Sequence, residues 1–296
     1  METCRQRCWR SNWVLDLDIK GFFDAIDHDL LMRAVKTHTS ERWVVLYLQR
    51  WLQAPVLLPD GTLQPRERGT PQGGVISPLL ANLFLHYAFD AWMRPTHPAI
   101  AFERYADDVI CHCRSEKEAR RLLEALQARF ASCRLQLHPQ KTKVVYCRDS
   151  NRREEFSAIQ FTFLGFSFRP RMARNARGVI FTNFLPAVSP QALRRMRARI
   201  RSIGLPSLVY FSIEKVAKIV NPVLRGWNQY YGRFYKTELM AKLYHYLDDR
   251  IACWLRQKYK KLRSHRLRSW MLLDHIRRQR TELFAHWHQA SAVVSG

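Results

Sequence analysis

The chain has 296 residues, of which 49 are Lys or Arg and 25 are Asp or Glu, so its formal net charge is +24. A charge this large favours a polyanionic partner, above all nucleic acid, and a membrane surface is the weaker alternative. No window reaches the roughly 18 apolar residues that a spanning helix needs. Because the amino terminus also lacks a signal-peptide core, we predict an intracellular, cytoplasmic protein with no membrane partner.

Up to about residue 170 the sequence mixes short β-like runs with helical patterns. Apolar spacing predicts helices over 29–36 and 41–53, and a third helix that is capped by Ser77 and runs to about residue 93. Ser115 caps a fourth helix, which runs to residue 130. Strands are predicted at 13–17, 144–146, 161–163 and 166–168. Interleaved elements of this kind predict an α+β fold, an antiparallel sheet with helices packed on one face.

Two adjacent acids, Asp107 and Asp108, stand between β-prone residues in a pattern typical of a hairpin tip. Their apolar neighbours predict buried hairpin arms, which would place the acids against a core: Ala101, Phe102, Val109, Ile110 and Cys111. Paired Asp residues at a turn are ordinarily solvated turn formers, and that is the alternative.

The seven cysteines are odd in number and scattered, which favours a reducing compartment over a disulfide framework. Cys4 and Cys8 have no partner pair at zinc-finger spacing, and neither has the cluster Cys111-His112-Cys113. We therefore favour alternation of Cys111 and Cys113 along a strand over structural zinc.

A third acid, Asp18, closes the strand-like run 13–17. Together with Asp107 and Asp108 it supplies three carboxylates from two strands, which predicts a divalent-metal site. Mg²⁺ takes oxygen ligands, keeps several waters and is commonly completed by substrate phosphates. Two such ions about 3.5–4 Å apart would activate the attacking oxygen and stabilise the leaving oxygen in phosphoryl transfer.

From Ser189 onward the sequence is dominated by long basic amphipathic helices, and 171–188 is predicted to be the connection. Ser189 and Pro190 form a cap and first-turn pair. Five arginines then wrap more than one face of the helix, which predicts exposure to anions, with a solvated charge run as the alternative: Arg194, Arg195, Arg197, Arg199 and Arg201. Within 222–232 the aromatics stand at helical spacing, which favours core packing over base stacking: Trp227, Tyr230 and Tyr231.

Three motifs, at 18–24, 68–82 and 105–108, occur along the chain in the order found in a known family, and a fourth segment adds to the resemblance. Tyr105-Ala106-Asp107-Asp108 resembles the palm signature of reverse transcriptases, and 18–24 is similar to their first metal-binding motif. The segment 68–82 is similar to the nucleotide-site motif of group II intron reverse transcriptases, also called maturases. The segment 222–232 resembles the maturase thumb, domain X.

The resemblance implies a reverse-transcriptase palm with incomplete fingers over 1–170, a connection over 171–188, and an all-α thumb or maturase domain over 189–290. It implies RNA-directed DNA polymerisation with two Mg²⁺ ions. The expected partners are an intron RNA template, a DNA primer and deoxynucleoside triphosphates. The sequence carries no prediction of the oligomeric state.

The same resemblance implies roles for single residues. Asp18 and Asp107 would bridge the metals, Asp108 would complete the site, and the main-chain carbonyl of Ile19 would be a further ligand. Phe23 would be the steric gate that favours deoxynucleotides, with core packing as its alternative.

Other implied roles concern the nucleotide and the RNA. Gln72 and Gly73 would contact the incoming nucleotide, and the flexible glycine would let the backbone approach it closely. Lys141 would protonate or stabilise the leaving pyrophosphate, with an ordinary surface lysine as the equal alternative. RNA contacts are predicted for Arg194, Arg197, Arg201, Arg225, Arg233 and Lys236, and the basic run 256–268 extends the same surface.

Two departures from the family bear on activity. Met1 lies 17 residues before Asp18, whereas the family has fingers and an extension ahead of that point. The expectation is therefore a chain truncated at its amino terminus, and a non-catalytic RNA-binding maturase or an inactive fragment is the alternative to a polymerase. No Cys/His-rich endonuclease module follows Ala290, so DNA cleavage is not expected. A retron-type enzyme is disfavoured by the segment 225–232.

Overall fold

The computed structural model describes residues 1–71 and 73–287. The chain separates into two compact units, the first built from residues 1–164 and 169–184 and the second from 165–168 and the residues from 185 onward. No helix within the described residues is long and apolar enough to cross a membrane.

The described residues form nine strands. They are β1 (Trp13–Leu17), β2 (Val56–Leu57), β3 (Leu63–Gln64), β4 (Ala101–Tyr105), β5 (Asp108–Cys113), β6 (Lys143–Tyr146), β7 (Phe161–Phe163), β8 (Phe166–Arg174) and β9 (Ile180–Val188). The main sheet has the order β4-β5-β1-β6 with every neighbouring pair antiparallel. Strands β2 and β3 form a small hairpin, and β7, β8 and β9 pair in that order.

In the described part of the first unit there are seven α-helices. They are α1 (Glu2–Arg10), α2 (Phe22–Ala25), α3 (His28–Lys36), α4 (Arg42–Gln53), α5 (Ser77–Leu85), α6 (Ala91–Thr96) and α7 (Glu116–Ser132), with a π-helix, His86–Asp90, between α5 and α6. The second unit contains α8 (Pro190–Ser202), α9 (Ile213–Tyr231), α10 (Lys236–Leu239), α11 (His245–Lys258) and α12 (Arg266–Gln279). Its shorter helical segments are Leu205–Leu208, Met240–Tyr244 and Lys260–Leu262.

The two faces of the main sheet follow from strand alternation. Leu15 and Leu17 of β1 point to the same side as Cys111 and Cys113 of β5, and all four are buried in a core with α7. The predicted alternation of the two cysteines is therefore confirmed. Each fully buried Leu side chain stabilises such a core by roughly 1.5–3 kcal/mol.

The opposite face of the sheet carries Val14, Ile110 and His112, which are also buried. Helix α1 lies against this face, where Arg7 donates to the carbonyl oxygen of Phe102 on β4. Our prediction placed helices on one face of the sheet only. It did not include α1, because the helical period of this segment is carried by two cysteines rather than by large apolar side chains.

Local capping signals were accurate where the side chain has no competing partner. The Ser115 hydroxyl accepts from the amide of Glu118 at 3.2 Å, and the Ser189 hydroxyl accepts from the amide of Ala192 at 3.1 Å. The predicted cap at Ser77 is wrong, because its hydroxyl donates to the carbonyl oxygen of Pro71 at 2.7 Å and Ser77 itself is helical. The predicted single helix to residue 93 is interrupted by the π-helix.

The second unit has its own core. Helices α8, α9, α11 and α12 contribute buried apolar residues, among them Ile200, Leu224, Ile251 and Leu273. Trp227 and Tyr231 of α9 are partly buried and pack against this core, as predicted, whereas Tyr230 is 47% exposed.

Candidate active site at the end of the central strands

Antiparallel register brings Asp18 and Asp108 together. Leu17 of β1 pairs with Val109 of β5 in the last step of the ladder. Asp18 follows Leu17 and Asp108 precedes Val109, so the two acids stand opposite each other at the same end of the sheet. Continuing the alternation, both side chains belong to the face that carries Val14.

The acid pair forms a hairpin tip. Tyr105 of β4 pairs with Asp108, so Ala106 and Asp107 are the two residues of the turn. Ala106 has φ = 54°. Two-residue hairpin turns of types I′ and II′ require a positive φ at their first residue. The turn places Asp107 beside Asp108 at the end of the sheet where Asp18 follows β1.

The acids at this end of the sheet repel one another, and the repulsion raises the pKa of two of them. Partial desolvation raises the pKa of Asp108, and the charges of Asp107 and Asp18 raise it further. Asp16, two residues before Asp18 on the same face, has its pKa raised to about 7, chiefly by burial and then by the charge of Asp108. A cation would relieve this repulsion, so the donor set fits a hard divalent ion. Our sequence analysis did not single out Asp16, although its spacing from Asp18 along a strand was the available signal.

The three aspartates carry carboxylate oxygens at one end of the sheet, but these oxygens are not gathered around a single point. Within the described residues they do not form a group whose ligand atoms all lie within 4.8 Å of one another. Ile19 forms an antiparallel bridge with Leu137, and the flanking bonds run from the Lys20 amide to Gln136 and from the His138 amide to Asp18. In a bridge of this kind the peptide groups of the central residue point to the other side. The Ile19 carbonyl is therefore directed away from this bridge, toward the side on which β5 lies.

The segment before β6 holds Asp18 in place. The Thr142 hydroxyl lies 3.3 Å from both the amide nitrogen and the carbonyl oxygen of Asp18, and the His138 amide donates to that carbonyl at 2.8 Å. Lys141 extends from the same segment, and its Nζ lies 3.6 Å from Oδ2 of Asp18. The lysine side chain is 62% exposed.

Arg104 on β4 braces the aspartate turn. Its guanidinium donates to both carboxylate oxygens of Asp90, at 2.8 and 2.5 Å, to the Asn82 side chain at 2.9 Å, and to the carbonyl oxygen of Ala106 at 3.1 Å. Asp90 ends the π-helix, and its side chain is only 13% exposed. Sequence reasoning missed this pair; the signal was an acid within an otherwise apolar helix.

Phe23 lies on α2 beside the glycine-rich loop. The ring is half-buried and contacts the ring of fully packed Phe22, with centroids 5.4 Å apart. The loop is tied to α2, because the Thr70 amide donates to the carbonyl oxygen of Phe23 at 2.7 Å. Gly73 is exposed with φ = 84°. Gln72 lies outside the described residues.

Most of the predicted RNA-binding residues are exposed on the second unit. These are Arg194, Arg201, Arg225, Arg233 and Lys236. Arg197 is only partly exposed, since its guanidinium donates to the carbonyl oxygen of Lys242 at 2.7 Å and lies over the Tyr246 ring. The exposed cations come from α8, α9, the segment between α9 and α10, and α10, within one compact unit.

Comparison with solved structures returns partial similarity. The apo telomerase from Candida tropicalis, truncated from its C-terminal domain, superposes with a TM-score of 0.44 at 13% identity over 57% of this chain and 37% of that chain. Telomerase from Candida albicans gives a TM-score of 0.44 at 14% identity over 96% of this chain and 49% of that chain.

Curated relatives share parts of the sequence. Protein YkfC of Escherichia coli K12 is 28% identical over 179 residues, which are 47% of this chain and 45% of YkfC. The putative COX1/OXI3 intron 1 protein of Saccharomyces cerevisiae is 31% identical over 31% of this chain and 12% of its own length. Group II intron-encoded protein LtrA of Lactococcus lactis subsp. cremoris is 34% identical over 29% of this chain and 14% of LtrA. The chain spans less than half the length of these relatives.

Family comparison covers both units. Residues 193–282 match the group II intron, maturase-specific domain. Residues 2–168, more than half of the chain, match the family described as reverse transcriptase (RNA-dependent DNA polymerase), and the protein therefore belongs to that family.

Proposed function

We propose that the chain is an RNA-directed DNA polymerase that adds deoxynucleotides to a primer 3′-hydroxyl on an intron RNA template, and that its second unit assists splicing by binding the same RNA. The observation that carries the proposal is the placement of Asp18 opposite Asp108, with Asp107 in the adjoining turn. Reverse transcriptases generally use divalent metal ions, and a group of acids that repel one another fits such ions.

The aspartates would hold the ions at the strand end. Asp18 and Asp107 would hold the ions, Asp108 would complete the set, and the Ile19 carbonyl would be a further oxygen ligand. Two Mg²⁺ ions, when bound, would supply charge stabilisation at the attacking and leaving oxygens. The contribution of the chain is to hold rigid donors on paired strands, so that little reorganisation is needed during the reaction.

Residues around the acids would position the nucleotide. Lys141, whose ammonium lies 3.6 Å from Asp18, would stabilise or protonate the departing pyrophosphate. Phe23 would crowd a ribose 2′-hydroxyl and so favour deoxynucleotides. Gly73 leaves its backbone open to the nucleotide, because no atom lies within 4 Å of the position its Cβ would take. Gln72 is the adjoining nucleotide contact in this proposal.

The second unit would bind RNA mainly through phosphate contacts. Five of the six proposed cations are exposed, and neutralised phosphates release counterions, so affinity should fall steeply with salt. Base identity would not be read by these contacts. Arg197 would contribute less than the others, since its guanidinium already bonds within the unit.

The alternative is a non-catalytic RNA-binding maturase, which the exposed cations of the second unit would equally support. Extension of a DNA primer on an RNA template separates the two functions. We would compare the wild type with the Asp107→Asn/Asp108→Asn variant, which keeps side-chain volume, and with Asp60→Asn, which changes an exposed acid in the β2–β3 turn.

The proposal expects Mg²⁺-dependent extension by the wild type and Asp60→Asn, and a loss of about 10²-fold or more in the double variant. RNA binding, measured in parallel, should be equal in all three proteins. Extension that survives the double substitution would remove the aspartates from catalysis. Absence of extension in every protein, with tight salt-sensitive RNA binding, would establish the maturase-like binder instead.

A further inference from the structure

A second cluster of ligand-type side chains lies on the α1 face of the main sheet. The Cys4 sulfur, a Glu103 carboxylate oxygen and a His112 ring nitrogen all lie within 4.8 Å of one another. Cys4 has no exposed surface and His112 is 3% exposed. This is the group of three that meets the spacing for a metal ion within the described residues.

Regular elements hold the three side chains. Ala101 pairs with His112 and Glu103 pairs with Ile110, so Glu103 and His112 are diagonal neighbours on one face of the β4–β5 hairpin. Helix α1 brings Cys4 to that face and is pinned there by Arg7, whose Nη1 lies 2.7 Å from Oε1 of Glu103. The other oxygen, Oε2, lies 2.5 Å from Nε2 of His112. The cluster is therefore built on a helix and two strands rather than on loops.

The donor chemistry fits a borderline-soft ion. Thiolate, imidazole and carboxylate are the protein ligands of Zn²⁺, with metal–ligand distances of about 2.0–2.3 Å that place the ligand atoms roughly 3.3–3.8 Å apart in a tetrahedron. The three ligand atoms lie within 4.8 Å of one another, so binding would need only side-chain adjustments, including separation of the His112 nitrogen and the Glu103 oxygen that now lie 2.5 Å apart. Nδ1 of His112 is buried and has no hydrogen-bond partner within the described residues, which is costly for a polar atom. A metal ion bound through Nδ1 would give this buried ring atom the partner that it lacks.

We propose that Cys4, Glu103 and His112 form a binding site for a thiophilic divalent ion of the Zn²⁺ class, with water in the fourth position. Mg²⁺ is disfavoured here because it prefers an all-oxygen octahedral shell. The ion would tie α1 to the hairpin whose tip carries Asp107 and Asp108. The site is structural, and it does not depend on whether the chain polymerises DNA.

Cobalt substitution tests the site directly. The full chain, stripped with a chelator and supplied with excess Mg²⁺, is titrated with Co²⁺ and followed by absorbance. A thiolate–cobalt bond produces a charge-transfer band in the near ultraviolet, which carboxylate sites such as the aspartates cannot produce. We expect the band to saturate at one equivalent in the wild type and to be lost in Cys4→Ser. The matched control is Cys8→Ser, one helical turn along α1 and also buried, which should keep the band.

Zinc content and stability supply the second measurement. After incubation with zinc and removal of the excess, the wild type should retain one equivalent and melt at a higher temperature than the stripped protein. If Cys4→Ser does not fold, Glu103→Gln serves as the variant, and it should reduce zinc retention. A folded wild type that gives no thiolate–cobalt band and retains no zinc overturns the proposal, whatever the variants do. A band that persists unchanged in folded Cys4→Ser overturns it as well.

Discussion

Gly69 offers a sharp test of how the glycine-rich loop is attached to α2. A Cβ on Gly69 would lie 2.8 Å from the Asp24 Cα and 2.9 Å from the carbonyl oxygens of Asp24 and Phe23. These are backbone atoms, so no side chain can rotate away. The approach is held by a 2.7 Å hydrogen bond from the Gly69 amide to the Ile26 carbonyl oxygen. We predict that Gly69→Ala strongly destabilises the first unit.

The expected loss in unfolding free energy has two parts, and a matched control variant separates them. Gly69 has φ = 84° and Gly61 has φ = 85°, but a Cβ on Gly61 would meet no atom within 4 Å. An alanine in the left-handed region costs about 1–2 kcal/mol at either position. Overlap with packed atoms adds about 1–3 kcal/mol at Gly69 alone. The expected loss in unfolding free energy is therefore about 2–5 kcal/mol for Gly69→Ala and about 1–2 kcal/mol for Gly61→Ala.

Urea denaturation of both variants, followed by far-ultraviolet circular dichroism, would measure the difference within the same unit. If Gly69→Ala and Gly61→Ala lose equal stability within about 0.5 kcal/mol, the close approach of the loop to α2 is wrong. Provided that the chain polymerises DNA, Gly69→Ala should also raise the KM for deoxynucleotides, and Gly61→Ala should not.

Three further predictions follow from side-chain contacts. Arg104→Lys removes the bidentate contact with Asp90, so stability should fall by about 2–3 kcal/mol and primer extension by about tenfold; unchanged extension would show that the brace does not position the aspartate turn. Asp248 is buried, which raises its pKa, but the hydrogen bond with His286 and nearby positive charges outweigh burial and hold that pKa below 3.8. Its carboxylate therefore stabilises the second unit above that pH, and the stabilisation is lost as the pH falls through the lowered pKa. Asp248→Asn should cost about 3 kcal/mol near pH 7 in urea titrations, with a difference from the wild type that shrinks in acid; a constant difference would contradict this assignment. Arg225→Gln should reduce the slope of log affinity for RNA against log salt by about 0.7–0.9 without changing stability, and an unchanged slope would remove Arg225 from the phosphate contacts.

Local patterns were sufficient for the elements that bound the candidate site. β-prone, apolar residues on both sides of Asp107 and Asp108 predicted the hairpin, and the structure places Ala106 and Asp107 in its turn. The hydroxyls of Ser115 and Ser189 cap their helices as the sequence indicates. Such signals depend on only a few neighbouring residues, so they predict the local structure without knowledge of the packing. Ser77 shows the limit of such signals. Its hydroxyl does not cap the helix, because it donates to a carbonyl oxygen in the preceding loop.

What the sequence by itself determined is the inventory of the site: three acids on strand ends, a glycine-rich loop and a basic carboxy-terminal half. Only the tertiary structure decided the register that sets Asp18 opposite Asp108, and the sheet position that raises the pKa of Asp16. It also brought Cys4 to His112, although no spacing in the sequence suggests a metal site there. The physical reason is that register and helix docking depend on how whole faces are buried, which no local window of residues contains.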